Sequence, residues 1–454
     1  MHPDCGIWVS TTDGDDAQPG SQTEPVRTLA RAIELAAEGT GRVYACNEDW
    51  LETLLVPGNV SLHGGFDCKN GWAYVGGQSK STVSAKTPIG MTYVESGKEE
   101  RPFLTDFHIE SADGEYPGGS SIALFIRDDV PITIERCEIV AGTGADGVDG
   151  ADGGAGEAPS APSGAPGIDG AGACSAPLSK GGAATETACG QIVSKGGEGG
   201  DGGPLIAENG ADGEAAGAPY GVGGLGEQLA PSCTDGSPGS DGTRGASGLG
   251  GPVSGQRLTS EGYIGAWGEE GQPGTPGKGG GGGGATFGSA AVCGAASPGG
   301  AAGGSGGAGG CGGKGGKGGQ PGGSSIGVAL HTANHDVLIK DTSIIVRDAG
   351  DGGDGGLPQQ GGDGGLPGMG GAGLGTIKPG CKGGNGGLGG EGGIGGGGLG
   401  GSTLCIAYAK PYGASVWQVK CQVGAPGFGG DGDPWLDYSW GGFGNSTDYR
   451  GLDP

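Results

Sequence analysis

Twelve cysteines are the side chains whose chemistry the sequence states most directly. No C-x-x-C pair is present, so zinc ribbons and thioredoxin-type redox motifs are poorly supported. An even number without a metal pattern favours six disulfides formed in an oxidising compartment, and we expect all twelve to be paired. The cysteines are Cys5, Cys46, Cys68, Cys137, Cys174, Cys189, Cys233, Cys293, Cys311, Cys381, Cys405 and Cys421.

Three carboxylates near the start, Asp13, Asp15 and Asp16, could hold Ca²⁺ through their oxygens. The commoner role of such a cluster is an Asx-rich turn. We therefore expect no required cofactor, with calcium possible at these three residues. The five histidines do not form a motif and are expected to be ordinary surface or turn residues: His2, His63, His108, His331 and His335.

No catalytic motif is present: the chain has no nucleophile elbow, phosphate loop or HExxH. Carboxylates on predicted strands could serve a glycan-cleaving enzyme, but their spacing does not distinguish them from solvent-facing positions. We predict no catalytic residue, and the sequence favours a non-enzymatic protein. The carboxylates considered are Asp106, Glu110, Asp128, Glu135 and Asp341.

Aromatic residues in predicted loops are candidate recognition residues, because exposed aromatics on loops often contact ligands. Tyr220, Tyr263 and Trp267 lie in such loops, and Trp435, Tyr438 and Trp440 lie in the aromatic tail. For the tail, covering the last coil of a repeat structure is the alternative that we favour over sugar stacking.

The composition is unusual: 121 of 454 residues are glycine and the net charge is −27. An acidic surface of this size repels nucleic acid and anionic membranes. No run of about 20 apolar residues predicts a membrane span, and residues 1–5 lack the apolar core of a signal peptide. We expect a secreted protein or one on the outer surface of a bacterium, with Cys5 as a lipid-carrying residue the less favoured alternative.

A period of three organises the glycine-rich tracts. In 303–323 two glycines alternate with one other residue from Ser305 to Gln320. Three residues per turn fits an extended left-handed helix without internal hydrogen bonds, whose bare faces allow close packing of neighbouring backbones. We predict ordered, packed helices with Lys314 and Lys317 on a solvent-facing ridge; a flexible linker is the alternative. The tracts resemble the polyglycine-II bundles of some antifreeze proteins and phage tail-tip adhesins.

A second repeat, G-G-S-[S/T]-[I/L] followed by alternating strands, begins at Gly118, Gly322 and Gly400. We interpret the three copies as consecutive rungs of one solenoid, with Ile122, Ile326 and Leu404 in equivalent inward positions. The glycine-rich tracts would then be insertions leaving from the same corner of the solenoid.

The N-terminal order of strand, acidic turn, amphipathic helix and strand resembles the cap of pectate-lyase-like right-handed β-helices, including a family of unknown function. Residues 23–25 predict the helix start and Gly39 its end. The predicted apolar face comprises Val26, Leu29, Ala30, Ile33 and Ala36.

The predicted fold class is all-β: a right-handed parallel β-helix with an N-terminal capping α-helix, plus an inserted glycine-rich polyglycine-II helical bundle. The predicted divisions are 1–41 N-terminal strand and capping helix, 42–142 β-helix coils, 143–321 glycine-rich insertion, 322–350 β-helix coil, 351–399 glycine-rich insertion, 400–427 β-helix coil and 428–454 aromatic-rich C-terminal cap.

Three functions compete. The first is a non-enzymatic structural or adhesive protein whose rigid, disulfide-stabilised scaffold presents loops for recognition or self-assembly. The second is a carbohydrate-active β-helix enzyme, a polysaccharide lyase or hydrolase, which the β-helix resemblance implies. The third is an ice-binding protein, against which the lysines at 314 and 317 count. The expected partner is an extracellular glycan, a cell-surface component or a second copy of the chain.

Overall fold

The computed structural model describes residues 5–95, 101–128, 130–214, 220–228, 232–331, 337–410 and 413–453. His2 and His335 lie outside these residues. The described part is mostly β, with few helices. Its strands are β1 Ile7–Val9, β2 Arg42–Cys46, β3 Asp49–Trp50, β4 Leu54–Pro57, β5 Ser61–Asp67, β6 Ala73–Tyr74, β7 Ser81–Ser84, β8 Ile89–Val94, β9 Phe103–Thr105, β10 Phe107–Glu110, β11 Ser121–Arg127, β12 Thr133–Glu135, β13 Glu138–Ala141, β14 Glu186–Cys189, β15 Ile192–Lys195, β16 Arg257–Thr259, β17 Gly262–Ile264, β18 Ser325–His331, β19 Leu338–Lys340, β20 Ser343–Val346, β21 Thr403–Ala409, β22 Ser415–Trp417, β23 Lys420–Gln422 and β24 Ser446–Leu452.

The helices are short. The α-helices are α1 Leu29–Glu38 and α2 Ala290–Cys293, and the 3₁₀ turns are Cys68–Asn70, Val253–Gly255 and Asp437–Ser439. In the described part of the chain, neither α-helix is long and apolar enough to cross a membrane.

Three sheets, parallel except for the short β6, form the first architectural unit. The first sheet has the order β1-β2-β5-β9-β12-β19-β22, with β6 paired antiparallel to β5; the second is β23-β20-β13-β10-β7-β3; the third is β24-β21-β18-β11-β8-β4. From β9 onward the chain visits the first, second and third sheets in rotation, leaving aside the two hairpins β14–β15 and β16–β17. Each pass therefore adds one strand to each sheet.

Aligned apolar side chains fill the space between the sheets. Leu62, Leu104, Ile134 and Ile339 are register partners on successive strands of the first sheet, and all are fully buried. Stacking like residues in this way gives every rung the same interior, so burying the apolar faces stabilises the parallel pairing.

The bend from the first to the second sheet is made by one residue per rung. Asp106, Arg136, Asp341 and Gln418 all have φ between 48° and 60°, a left-handed conformation uncommon for side chains other than Asn and Asp. The bend separates β9 from β10 and β12 from β13.

Helix α1 covers one end of this unit. Its N-cap is Thr28, whose side chain accepts from the Arg31 N–H, and its C-cap is Gly39. The predicted start at residues 23–25 is therefore wrong: capping needs a side-chain acceptor directly before the first turn, which Thr28 supplies. Ala32, and not the predicted Ala30, lies on the buried face.

The three repeat copies align in register. Ile122 pairs with Ile326, and Ile326 with Leu404, and all three are buried. They do not face inward, however: they pack on the outer face of the third sheet against Leu258 of the β16–β17 hairpin. The prediction of inward positions is corrected because an inserted hairpin covers that face.

The glycine-rich tracts form the second architectural unit, with few α or β elements. The tract 303–323 lies at its centre and bonds to neighbours every third residue. Gly310, Gly313 and Gly316 donate to the carbonyls of Gly387, Gly390 and Gly393 at 2.9–3.0 Å. Another tract donates to the central one: the N–H groups of Gly362 and Gly365 donate to the carbonyls of Cys311 and Ala308. Most backbone polar groups of this tract are thus paired between tracts.

The side chains of this central tract divide into two groups. Lys314 and Lys317 lie at the surface, in ion pairs with Glu157 (2.6 Å) and Glu270 (2.7 Å). Ser305 and Ala308, predicted on the same exposed ridge, are fully buried. Residues 165–168 cover them: the Ala308 N–H donates to the Ala165 carbonyl, and the Ser305 N–H donates to the Ile168 carbonyl.

Aspartates connect adjacent tracts. The Oδ1 atoms of Asp146, Asp149 and Asp152 accept the N–H groups of residues 351, 354 and 357 at 2.8 Å. Asp351 and Asp354 then accept from residues 428 and 431 at 2.7 Å. Each time, the carboxylate satisfies an N–H on a neighbouring tract, so part of the negative charge has a structural use.

Five disulfides cross-link the chain: Cys46–Cys68, Cys174–Cys293, Cys189–Cys311, Cys233–Cys381 and Cys405–Cys421. Cys5 and Cys137 are free thiols, so the prediction of six disulfides is wrong. Cys137 follows β12, four strands from the β1 strand beside Cys5, or about 19 Å at ordinary strand spacing. That is beyond the roughly 7 Å that a disulfide can bridge.

Candidate functional site

A groove of about 680 Å³ lies on the outer face of the first sheet, across β2, β5 and β9. Side chains alternate between the two faces of a strand, so residues two apart point outward together. Register places Tyr44 opposite His63 and His63 opposite Thr105. The outward side chains of β2, β5 and β9 in the groove are Arg42, Tyr44, Ser61, His63, Phe103 and Thr105.

Aromatic rings form a row along this groove. Tyr44 and His63 are stacked with ring centroids 5.5 Å apart, and His63 and Phe103 with centroids 6.4 Å apart. Trp8 continues the row behind Tyr44 at 4.7 Å. Trp8 and Tyr44 are buried and the stacked rings cover one another's faces, whereas Phe103 is 40% exposed, so Phe103 is the ring of this row that a sugar ring could contact.

His63 is neutral at ordinary pH. Burial, together with the nearby positive charge of Arg42, lowers the pKa of its imidazole to about 4. Nδ1 lies 3.1 Å from Thr105 Oγ1. A general base works best with a pKa near the operating pH, so this imidazole is better suited to hydrogen bonding and stacking than to proton transfer.

The carboxylates in and beside the groove are already paired with cationic side chains. Asp106 is 1% exposed, and both of its oxygens accept from Arg136, at 2.9 Å from Nε and 2.8 Å from Nη2. This hydrogen bonding raises the pKa of Arg136. Glu135 contacts Arg136 and lies 2.9 Å from Lys340 Nζ. Neither carboxylate is available as a free acid, base or metal ligand.

The groove is locally cationic in a strongly acidic chain. Arg42, Arg101 and Arg136 all line it; Arg136 is paired with Asp106, so Arg42 and Arg101 carry the excess positive charge in a protein whose net charge is −27. Guanidinium groups bind carboxylate, sulfate and phosphate through planar pairs of N–H donors. The exposed ring of Phe103 beside such groups could contact a sugar ring that carries an anion.

Two of the three predicted calcium ligands, Asp15 and Asp16, accept hydrogen bonds from nearby residues of the fold. Both oxygens of Asp16 accept hydrogen bonds, from the Arg27 and Thr28 N–H groups at 2.9 Å and from Thr28 Oγ1 at 3.0 Å. Burial raises the pKa of Asp16, but these hydrogen bonds outweigh it and lower the pKa. Asp15 accepts from the Ala17 N–H. Within the described ranges, no three His, Cys, Asp or Glu side chains are grouped as metal ligands, and calcium at Asp13, Asp15 and Asp16 stays a prediction from the sequence.

Five of the six predicted recognition aromatics are exposed, by 42% or more: Tyr220, Trp267, Trp435, Tyr438 and Trp440. The sixth, Tyr263, packs on the buried cluster of Ile122 and Leu258, and burial raises its pKa. Its predicted place at a loop tip is corrected, because the hairpin that carries it lies flat on the third sheet.

The aromatic tail borders the glycine tracts. The Gly250 N–H donates to the Tyr438 carbonyl at 2.9 Å, and Trp440 Nε1 donates to the Asp433 carbonyl at 3.1 Å. Residues 435–440 of the tail therefore lie beside the glycine tracts and apart from the groove, whereas β24 pairs with β21 in the third sheet.

The remaining carboxylates considered for catalysis lie apart from the groove. Asp128 and Asp341 occupy turns with positive φ, and Glu110 pairs with Arg347. None of the three lines the groove, so the strand carboxylates do not come together as a catalytic group.

Sequence reasoning missed Arg42, Tyr44, His63 and Phe103 as a group. Arg42 and Tyr44 lie at alternate positions of β2, whereas His63 lies on β5 and Phe103 on β9. Only the pairing register of these strands brings the four side chains into one groove. Outward aromatic residues at matching places on successive strands were the available indication.

Comparison with known proteins identifies no family. No family model matches the chain, and no curated protein matches it. Two crystal structures of the pectin methylesterase from Aspergillus niger match in part: the deglycosylated form, with a TM-score of 0.21 and 13% identity, and a penultimately deglycosylated form that keeps an N-acetylglucosamine stub, with a TM-score of 0.18 and 12% identity. Each match covers 32% of this chain and 45% of that enzyme, so this chain spans less than half of the enzyme's length. TM-scores of this size carry no information on activity or substrate.

Proposed function

We propose that the protein is a non-enzymatic, extracellular adhesive scaffold that binds an acidic glycan in the groove of the first sheet. The observation that carries the proposal is a groove that combines the exposed ring of Phe103 with Arg42 and Arg101, in a chain of net charge −27. Five disulfides are typical of an oxidising compartment, which agrees with a secreted or outer-surface location, bacterial in our expectation.

The scaffold itself is part of the proposal. We infer that the three-sheet unit is a right-handed parallel β-helix and that the glycine tracts are polyglycine-II helices. Rotation of the chain through three parallel sheets supports the first inference. Hydrogen bonds repeated every third residue support the second. Bonds of this kind hold neighbouring tracts at fixed positions, as suits a rigid adhesin.

The carboxylates in and beside the groove are held in ion pairs, and this favours binding over catalysis. Asp106 and Glu135 are held by Arg136 and Lys340, and the pKa of His63 is about 4. A cleaving enzyme needs groups that exchange protons with the substrate near the operating pH. The two carboxylates here are instead held in ion pairs.

The test is a binding measurement with polygalacturonate, chondroitin sulfate and uncharged dextran as probes. We expect the acidic polymers to bind, with affinity that falls as salt rises, and dextran not to bind. Arg42→Gln should weaken binding about tenfold or more, because a hydrogen bond to a charged group contributes roughly 1.5–3 kcal/mol. The matched control is Arg31→Gln, an exposed arginine on α1 outside the groove.

Two outcomes would overturn the proposal. Equal binding of dextran and the acidic polymers would remove the electrostatic argument. Equal loss of binding in Arg31→Gln and Arg42→Gln would show that the contact is a diffuse charge effect and not the groove.

A carbohydrate-active enzyme stays a prediction from the sequence, because the neutral His63 of the groove is poorly suited to proton transfer. Release of reducing ends or unsaturated uronates from the same polymers, lost in His63→Ala, would establish it in place of the adhesin. Ice binding stays a prediction from the sequence and is tested by thermal hysteresis; the Lys314–Glu157 and Lys317–Glu270 ion pairs give it no support.

A further inference from the structure

One side of the central glycine tract, residues 303–323, is covered along only part of its length. Up to residue 309, every third N–H on this side donates to the segment that follows the β14–β15 hairpin. These bonds, each 2.9 Å long, run from Gly303 to the Gly200 carbonyl, from Gly306 to the Gly197 carbonyl and from Gly309 to Ser194 Oγ. The Cys189–Cys311 disulfide joins the hairpin to the central tract, so the cover ends near residue 311.

The same row of N–H groups continues past the hairpin without partners. A period of three residues brings every third N–H to the same side, so the next members are Gly312, Gly315 and Gly318. Among the described residues, none of these three N–H groups donates a hydrogen bond, and none of the three carbonyls accepts one. An unpaired row of backbone groups is a template for a further extended chain, as at the edge of a sheet.

A channel lies over these backbone groups. We call the space along residues 311–317 the tract channel; it comprises two adjoining cavities of about 570 and 480 Å³, the first lined by Gly312 and the second by Gly315. The hairpin tip at Cys189 and Gly190 closes one end. The ion pairs of Lys314 and Lys317 at its mouth are more than half exposed, so opening them costs little.

One wall of the tract channel has no donors at positions where the floor keeps them. On the tract 266–283, the Gly282 N–H donates to the Ala211 carbonyl. The period of three puts Pro276 and Pro273 on the same side as Gly282. Proline has no N–H, so at these two positions no wall donor is left unpaired.

The segment that covers residues 303–309 shows which kind of chain fits on this side. A Cβ added at Gly196 would lie 2.0 Å from the Gly306 carbonyl oxygen, and one at Gly199 would lie 1.9 Å from the Gly303 oxygen. A chain packed here therefore needs glycine wherever it faces the central tract. Larger side chains fit where they point to solvent, as Glu198 does.

We propose that the tract channel binds an extended glycine-rich polypeptide of three residues per turn, whose carbonyls accept the N–H groups of Gly312, Gly315 and Gly318. The bound chain continues the packing that residues 194–200 already form along the same tract. In this mode of recognition, backbone hydrogen bonds supply the affinity. The proposal concerns the glycine tracts and does not rest on the glycan groove.

The test measures binding of a fluorescent peptide, KGGEGGDGG, to the full-length protein by anisotropy. This is the sequence of residues 195–203, and we expect saturable binding. The same peptide with Gly196→Val and Gly199→Val is the matched control and should bind at least about tenfold more weakly, because the added side chains hold the two backbones apart.

Variants of the protein place the peptide. Ala158→Trp puts a large ring at an exposed alanine that lines the tract channel and should weaken binding about tenfold or more, because it fills the space that the peptide needs. Ala372→Trp, at an exposed alanine outside the channel lining, should leave binding unchanged. Thermal unfolding checks that both variants keep the fold.

Hydrogen exchange identifies the amides involved. Saturating peptide should slow exchange at Gly312, Gly315 and Gly318 about tenfold or more, whereas Gly313 and Gly316, already bonded to another tract, should not change. No saturable binding, equal binding of the two peptides, or protection of other amides overturns the proposal.

Two further outcomes separate the alternatives. Dimerisation of the protein alone, with protection of the same three amides, would assign the tract channel to a second copy and also overturn the proposal. Binding of polygalacturonate by Ala158→Trp would leave the proposed groove function intact, so the two proposals fail separately.

Discussion

The central glycine tract offers the sharpest test of the packing. A Cβ added at Gly313 would lie 1.9 Å from the Gln359 carbonyl oxygen, and one at Gly316 would lie 1.9 Å from the Gly356 oxygen. Real Cβ contacts are almost never below 3.0 Å. Gly313→Ala therefore requires the tract around residue 359 to move outward by more than about 1 Å.

Such a movement has a cost that can be worked out from the structure. It stretches the bond from the Gln359 N–H to the Lys314 carbonyl and the bond from the Gly392 N–H to the Gln359 carbonyl, now 2.9 and 3.0 Å long. Two backbone hydrogen bonds at roughly 1 kcal/mol each and overpacking of about 1–3 kcal/mol give a loss of about 3–5 kcal/mol. An unpacked linker would give the opposite sign, a gain of about 0.4–1 kcal/mol.

Hydrogen exchange of the amides in 303–323 measures this loss locally. We expect exchange about a hundred to several thousand times faster in Gly313→Ala, at 1.4 kcal/mol per factor of ten. Lys314→Ala is the control next to it: it loses one exposed ion pair, worth about 0–1 kcal/mol. Gly77→Ala, with no atom within 4 Å of the added carbon, should be neutral or slightly stabilising. Exchange in Gly313→Ala as slow as in the unaltered protein would refute the reasoning.

The remaining predictions concern single side chains. The pKa of His63 is about 4 in the folded protein and about 6.5 in the unfolded chain. The contribution of this residue to stability is therefore complete above pH 6.5 and is lost as the pH falls towards 4. His63→Gln should remove about 3 kcal/mol of this pH dependence in denaturant titrations, and an unchanged pH profile would count against the assignment. Alkylation without reductant should label Cys5 in the native protein and Cys137 only after unfolding, since Cys137 is 2% exposed and burial raises its pKa to about 12; labelling at any third cysteine would contradict the five disulfides. Arg136→Ala should destabilise the fold by about 3–5 kcal/mol because it leaves the buried Asp106 carboxylate unpaired, whereas D106N/R136A should recover part of the loss; equal unfolding midpoints of the single and double variants would contradict this.

Repeated patterns in the sequence predicted the parts of the fold that depend on them. The G-G-S-[S/T]-[I/L] repeat placed Ile122, Ile326 and Leu404 in one register, because equivalent residues in stacked rungs meet the same neighbours. Gly39 marked the end of α1 correctly, since the chain leaves the helix directly at that residue.

Features that depend on distant pairing could not be obtained in this way. Whether Ile122 faces inward or outward depends on a hairpin far later in the sequence that covers the sheet. The groove likewise needs β2, β5 and β9 to be aligned before Tyr44, His63 and Phe103 become neighbours. The free thiols of Cys5 and Cys137 follow from their separation along the sheet, on which an even cysteine count gives no information.

The glycine tracts also imply an unusual response to temperature. Packing there brings backbone against backbone, with glycine carbons lying on carbonyl groups, while the three-sheet unit buries Leu, Ile, Val and aromatic side chains. Exposing peptide groups lowers the heat capacity of unfolding and exposing apolar groups raises it. Unfolding of the tract unit should therefore have a small heat-capacity change per residue, with an enthalpy and entropy that vary little on cooling. The free energy of unfolding of this unit would change with temperature with little curvature. The unit should therefore keep its structure in the cold, where the burial of apolar side chains stabilises proteins less.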